Sequence, residues 1–211
     1  MSQSSLAIRP LSSSFGAEIL GIDLSKDISA MDQIVISELW AKHQLLLFRG
    51  QSLGEEDLVR TSRYIGDLEI HIRREYLSEE NPEILLVSNI KKDGRSVGIL
   101  SDTEVGWHYD QIYLPRPAVG SMLMAVKLPS SGGQTSFADM TAAFEALPDE
   151  IKTKINGTKA VQSYEAFNAQ FSVATNKTQK KLSPDIEQPL VRTHPISGRK
   201  ALYICPGMTT Q

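Results

Sequence analysis

Apolar residues in this chain come in short runs closed by turn-forming residues, and none of these runs is long enough to span a bilayer. The sharpest is Leu45-Leu46-Leu47-Phe48, bounded by Arg49-Gly50, the pattern of a strand buried on both faces. Residues 6–24 read as two short strands around the polar turn Ser12-Ser13-Ser14. Asp32 can cap a helix carrying Ile34, Val35, Ile36, Leu39 and Trp40 and ending near His43. Ser52 precedes a second helix, with Leu58, Val59 and Ile65 on its inner side and Gly66 as its stop. Further strands are expected at 84–89, 119–128 and 134–137, and a polar loop at 91–103. Asp139 should open a helix through Leu147, and Pro148 should be the first residue of another that stops at Gly157. The polar stretch 168–188 reads as a lid or loop, and 190–193 with 201–204 as a hairpin. Helices beside many short strands indicate an α+β or helix-decorated β-barrel architecture.

The 211 residues suffice for one domain with a real core, and 41% hydrophobic with 22% charged residues is ordinary for a soluble globular chain. A formal charge of -3 without a dense basic cluster argues against nucleic acid as a partner. The single cysteine, Cys205, excludes an intrachain disulfide and a cysteine-rich metal site. Met1 to Ser5 lack a charged leader, so the expectation is a cytoplasmic protein that does not engage a membrane.

Chemistry concentrates in Gly106-Trp107-His108-Tyr109-Asp110-Gln111. On an extended segment side chains alternate with period 2, so His108 and Asp110 share a face. An imidazole and a carboxylate converging there supply two of the three ligands of the facial triad that holds non-heme Fe(II). With 25 acidic residues in the chain, a lone His-x-Asp also arises easily as a surface ion pair.

The surroundings change that balance. Ser14-Phe15-Gly16-Ala17-Glu18-Ile19 with Gly21-Ile22-Asp23-Leu24, Leu46-Leu47-Phe48-Arg49-Gly50-Gln51, and Trp107-His108-Tyr109-Asp110 followed by Pro115-Arg116-Pro117 resemble the taurine/2,4-D dioxygenase (TauD/TfdA) family. So do Leu128-Pro129-Ser130-Ser131-Gly132-Gly133-Gln134-Thr135 and Arg192-Thr193-His194-Pro195 with Gly198-Arg199-Lys200 and Leu202-Tyr203. The resemblance implies an α+β double-stranded β-helix, or jelly roll, with buttressing helices. It implies an Fe(II)- and 2-oxoglutarate-dependent oxygenase that uses O₂ to hydroxylate a small organic, anionic substrate, releasing succinate and CO₂. His108 and Asp110 then match the first iron ligands, and Thr135 the residue that hydrogen-bonds 2-oxoglutarate. His71 matches a substrate-facing histidine, while Tyr113 and Met208 match pocket walls. Arg73 and Arg74 stand near a position usually filled by tyrosine, and Glu104 replaces a polar amide. Paired arginines at that place could clamp a carboxylate, sulfonate or sulfate.

The only histidines are His43, His71, His108 and His194. In the resemblance His194 is not a ligand, and the distal histidine and the arginine that binds 2-oxoglutarate lie beyond the counterpart of Gly207-Met208-Thr209-Thr210. The expectation is therefore a single incomplete domain over 1–211, with the C-terminal barrel strands missing. A non-catalytic jelly-roll binding or assembly module and a Zn or Mn cupin-like hydrolase or isomerase are the alternatives. The substrate stays open at this stage, as does homo-oligomerisation.

Overall fold

The structure is a computed structural model describing residues 6–99, 104–171 and 173–211. The leader reading at 1–5 and the end of the expected loop, 100–103, lie outside the described residues, as does position 172 within the expected lid. The architecture is mixed α+β, with small sheets and helices consistent with an open, partial double-stranded β-helix, and no barrel closes among the described residues. The backbone groups into two compact units.

The first unit comprises the chain up to Leu68 with Met122–Asp139 and His194–Gly198. Strand β1 (Ala7–Pro10) pairs antiparallel with β2 (Ala17–Leu20), as the sequence indicates. Between them Ser12 Oγ accepts from the amides of Ser14 and Phe15, and Gly16 takes a φ of +87°, where a side chain would be strained. Helix α1 (Ala30–His43) carries the chain back to β3 (Leu46–Leu47), which pairs parallel with β2. Its N-cap is Ser29 rather than Asp32: Ser29 Oγ accepts from the Asp32 amide at 3.1 Å and donates to the Asp32 carboxylate at 2.7 Å. The helix closes on Gln44 in the left-handed region, φ 65°, its amide bonded to Trp40 O. Strand β3 is shorter than expected and half-buried rather than buried on both faces. Helix α2 (Glu55–Arg63) opens with three acidic residues and ends with Arg60 and Arg63 in its last turn, complementing its dipole. Ala17, Ile19, Leu24, Ile36 and Leu58 are buried.

The second unit holds Glu69–Ser121, Met140–Thr193 and Arg199–Gln211. The 91–103 loop contains a tight hairpin of β4 (Lys91–Lys92) and β5 (Arg95–Ser96) around Asp93-Gly94, both at positive φ. Helices α3 (Met140–Glu145) and α4 (Asp149–Ile155) follow, with Pro148 as the N-cap of α4 and not its first residue. Strand β6 (Lys159–Gln162) pairs antiparallel with β7 (Ile186–Pro189). On its other edge Val161 N donates to Gln211 O at 3.0 Å and Val161 O accepts from Thr210 N at 3.0 Å. The stretch 168–188, expected as a lid or loop, instead carries α6 (Lys177–Leu182) and the start of β7. The expected hairpin forms as β8 (Val191–Thr193) with β9 (Lys200–Leu202). A short helix, α5 (Tyr164–Asn168), lies in a stretch where sequence periodicity indicates no element. Around it the core gathers Ile72, Ile112, Tyr113, Tyr164, Tyr203, Cys205 and Met208.

The strands expected at 119–128 and 134–137 do not form, and 84–89 is reduced to single bridges, Leu77 to Leu85 and Val87 to Ile99. A strand needs a neighbour's amides and carbonyls, and no described residue pairs with 119–128. Val119, Leu123, Val126 and Leu128 are accordingly 71–83% exposed. No helix among the described residues is long and apolar enough to cross a membrane. Replacing Ser29 with alanine should cost about 1 kcal/mol through loss of the α1 cap. For a chain of this size that is a fall of about 2–4 °C in the thermal midpoint, readable by calorimetry.

Candidate metal centre

His108 and Asp110 do not sit in a ladder strand: residues 104–109 lack regular structure, and Asp110 begins a turn that runs to Tyr113, with Gln111 at φ 55°. The two side chains nevertheless share a face, because Tyr109 between them is anchored the other way. Its hydroxyl donates to Leu202 O at 2.8 Å and its ring lies 4.9 Å from that of Tyr203. Alternation therefore survives without a sheet, imposed by an inward side chain and by Cys205, whose thiol bonds Trp107 O at 3.5 Å. His108 Nε2 stands 3.3 Å from Asp110 Oδ1.

The imidazole's other nitrogen decides what that short distance means. Nδ1 lies 2.9 Å from Gly106 O, a carbonyl that can only accept, so Nδ1 carries a proton. A hydrogen bond from Nε2 to the carboxylate then needs a doubly protonated ring. The pKa directions agree: the Asp110 bond raises His108 despite burial, and the His108 bond lowers Asp110, helped by Ser121. A divalent cation can replace that second proton, since metal ligands bind deprotonated. Two bonds of about 2.1 Å at right angles would separate the donor atoms by about 3.0 Å, close to the spacing found. The backbone carbonyl on Nδ1 and the Ser121 hydroxyl on Asp110 Oδ2 are the outer contacts that fix ligand tautomer and orientation. The pair thus fits two neighbouring positions on an ion. Among the described residues, no group of three or more His, Cys, Asp or Glu side chains is arranged to hold one.

The other expected site residues divide. His71 accepts the Arg73 amide on Nδ1 at 3.2 Å and meets the Tyr164 ring edge-on. Burial lowers its pKa, and the charge of Asp110 partly opposes that. Arg74 and Tyr113 line a small cavity of about 170 Å³, together with Ile70, Ile72, Gln111, Leu114, Leu182 and the acidic Glu69. Tyr113 is 2% exposed and packs on Tyr164 at 4.7 Å, and its hydroxyl has no hydrogen-bond partner among the described residues. Burial drives its phenol far above the usual range, so it stays a neutral donor. Met208 is buried in the aromatic core, and Glu104 is exposed. Thr135 belongs to the first unit, on an exposed segment after Gly132 and Gly133, both at positive φ. The arginine pair does not act as one clamp: Arg73 is buried in a hydrogen-bond network while Arg74 faces solvent and the cavity. His194 accepts the Ser197 amide in a turn, and His43 ends α1 with Nε2 buried.

Several site neighbours were not evident from the sequence. Phe167 lies over His108 with ring centroids 5.7 Å apart, and Ser121 and Gln111 flank the pair. Only Tyr164 and Phe167, three apart as on a helix face, leave any local signal.

Residues 7–211 match the family described as "Taurine catabolism dioxygenase TauD, TfdA family". The chain is 32% identical to an alpha-ketoglutarate-dependent 2,4-dichlorophenoxyacetate dioxygenase of Cupriavidus pinatubonensis, over 95% of this chain and 73% of the relative. It is 32% identical to a (S)-phenoxypropionate/alpha-ketoglutarate-dioxygenase of Sphingobium herbicidovorans, over 93% and 69%. Among solved structures, AAD-2 in complex with Mn(II) and N-oxalylglycine superposes with a TM-score of 0.76 at 28% identity, covering 97% of this chain and 71% of the other. A taurine dioxygenase from Burkholderia xenovorans gives 0.76 at 25% identity, covering 98% and 66%. If the pair binds metal, His108→Ala and Asp110→Ala should each abolish Mn(II) binding in calorimetric titration. Ser121→Ala should weaken it by about 10–100-fold, and wild-type affinity in all three variants would refute the assignment.

Proposed function

The chain belongs to the TauD/TfdA family of Fe(II)/2-oxoglutarate dioxygenases, and on that premise we propose that it takes part in 2-oxoglutarate-dependent hydroxylation of a small organic acid. The observation that carries this reading is the His108–Asp110 pair, whose Nε2 and Oδ1 face each other at 3.3 Å with the remaining atoms tied back. These two residues would hold the iron. Bound iron supplies O₂ activation coupled to decarboxylation of 2-oxoglutarate, giving succinate, CO₂ and a hydroxylated substrate carbon. Thr135 would donate its hydroxyl to a carboxylate oxygen of the cosubstrate.

The cavity suggests how substrate is held. Arg74 can form a charge-assisted pair with a carboxylate, while Ile70, Ile72 and Leu114 offer an apolar wall to the body of the molecule. Tyr113, kept neutral by burial, can donate one hydrogen bond without adding a competing negative charge beside Asp110. Both relatives above carry an acid with an apolar aromatic portion in their names, which accords with such a wall. His71, its charge disfavoured by burial, is better suited to a neutral contact than to pairing with an anion.

The test is iron-dependent succinate formation from 2-oxoglutarate, screened against small acids for stimulation. Aryloxy and aliphatic carboxylates should stimulate it, and Arg74→Ala should raise their KM by about tenfold or more, the worth of a hydrogen bond to a charged group. Failure of every acid to stimulate turnover, in a protein shown to bind both Mn(II) and 2-oxoglutarate, would overturn the reading.

A further inference from the structure

Arg73 is 2% exposed, a rare setting for a guanidinium that lacks good partners. It has several. Its Nε donates to Glu75 Oε1 at 2.7 Å, and its Nη1 donates to Asn168 Oδ1 at 2.9 Å and to Val173 O at 3.2 Å. The Tyr164 hydroxyl is a further hydrogen-bond partner. Glu75 is gripped from its other side by Gln179 Nε2 on α6, at 3.2 and 3.0 Å to its two oxygens. Asn168 Nδ2 donates to the same Val173 carbonyl at 3.1 Å, and Lys180 of α6 pairs with Glu165 of α5 at 2.8 Å. One buried cation therefore gathers both ends of α5, the backbone after it and, through Glu75, α6.

Helix α5 has five residues, far too few to be stable on its own, so its contacts set its position. Arg73 bonds Tyr164 at its start and Asn168 at its end. Between these two points lies Phe167, whose ring leans on His108 at 5.7 Å with the planes tilted by 42° and is backed by Phe171 at 5.2 Å. We propose that Arg73 is a positioning residue: its buried guanidinium clamps α5 so that Phe167 forms a fixed wall against the His108 imidazole. The purpose of such a wall rests on the metal-binding reading of His108, because it would hold the ring's orientation and limit water at one face. Arginine suits the role and lysine does not, since several acceptors in different directions need a planar fork of donors.

Carbethoxylation of the full, metal-free chain with diethyl pyrocarbonate at one fixed pH, read histidine by histidine by mass spectrometry, tests the clamp. Phe167→Ala should speed modification of His108, and Asn168→Ala should do the same by about tenfold, the factor expected when losing a hydrogen bond to a charged group raises the open population. His43 and His194 should keep their wild-type rates. Asn168→Ala leaves the Arg73–Glu75 pair intact, so the test does not depend on a variant that strips a buried charge of its partner. Arg73→Lys should behave like Asn168→Ala. A wild-type rate at His108 in Asn168→Ala, with acceleration in Phe167→Ala, would overturn the clamp. No acceleration in Phe167→Ala would overturn the wall, and equal acceleration at all four histidines would overturn both. The readout uses neither iron nor 2-oxoglutarate, so its failure is distinct from a failed succinate assay.

Discussion

The candidate centre depends on Tyr109. A histidine and a carboxylate two residues apart face the same way only while the chain between them stays extended, and here no neighbouring strand among the described residues enforces that. The tyrosine does so through the bond to Leu202 O and the packing on Tyr203, with buried Cys205 bonded to the backbone of the same segment at Trp107 O and Tyr109. The segment holding the site is thus fastened to the aromatic core of the second unit by a large side chain pointing away from the chemistry and by the Cys205 thiol against its backbone. Tyrosine suits this task because its ring fills the core while its hydroxyl still finds a backbone acceptor.

Around that anchor the polar groups form an ordered sequence of dependencies. Gly106 O fixes the tautomer of His108, and Ser121 occupies one oxygen of Asp110. What remains on the facing sides of the two residues is Nε2 of His108 and Oδ1 of Asp110, 3.3 Å apart. A charged pair left in that state keeps an extra proton or accepts a cation, and this is why the protonation directions and the metal geometry tell the same story. Burial keeps the Tyr113 phenol neutral and disfavours charge on the His71 imidazole.

Local patterns in the sequence were enough for elements whose partners lie close by. The β1–β2 and β8–β9 hairpins and helices α1 and α2 follow from turn residues and periodicity acting over fewer than twenty positions. The segment 119–128 alternates as a strand should, yet alternation describes only which faces are apolar and says nothing of whether a neighbour supplies amides. Strand β6 and helix α5 are too short to show a period, and are held by partners more than twenty residues or a whole helix away. The His108–Asp110 pairing was readable although its stated cause, a strand, was not the operative one. Ser121 and Phe167 could not be assigned to the site, since they reach it from 11 and 59 positions away from Asp110 and His108 respectively, and the three-residue spacing of Tyr164 and Phe167 says only that they share a helix face.

Arg73 and Arg74 show how little adjacency says about role. One is sealed among Glu75, Asn168 and Val173, and the other is exposed beside the cavity. For anyone reshaping this protein to accept a different acid, the two positions are not interchangeable targets. Position 74 can be varied across charge and size with the scaffold left standing, whereas a library that also randomises position 73 would mostly sample broken frameworks.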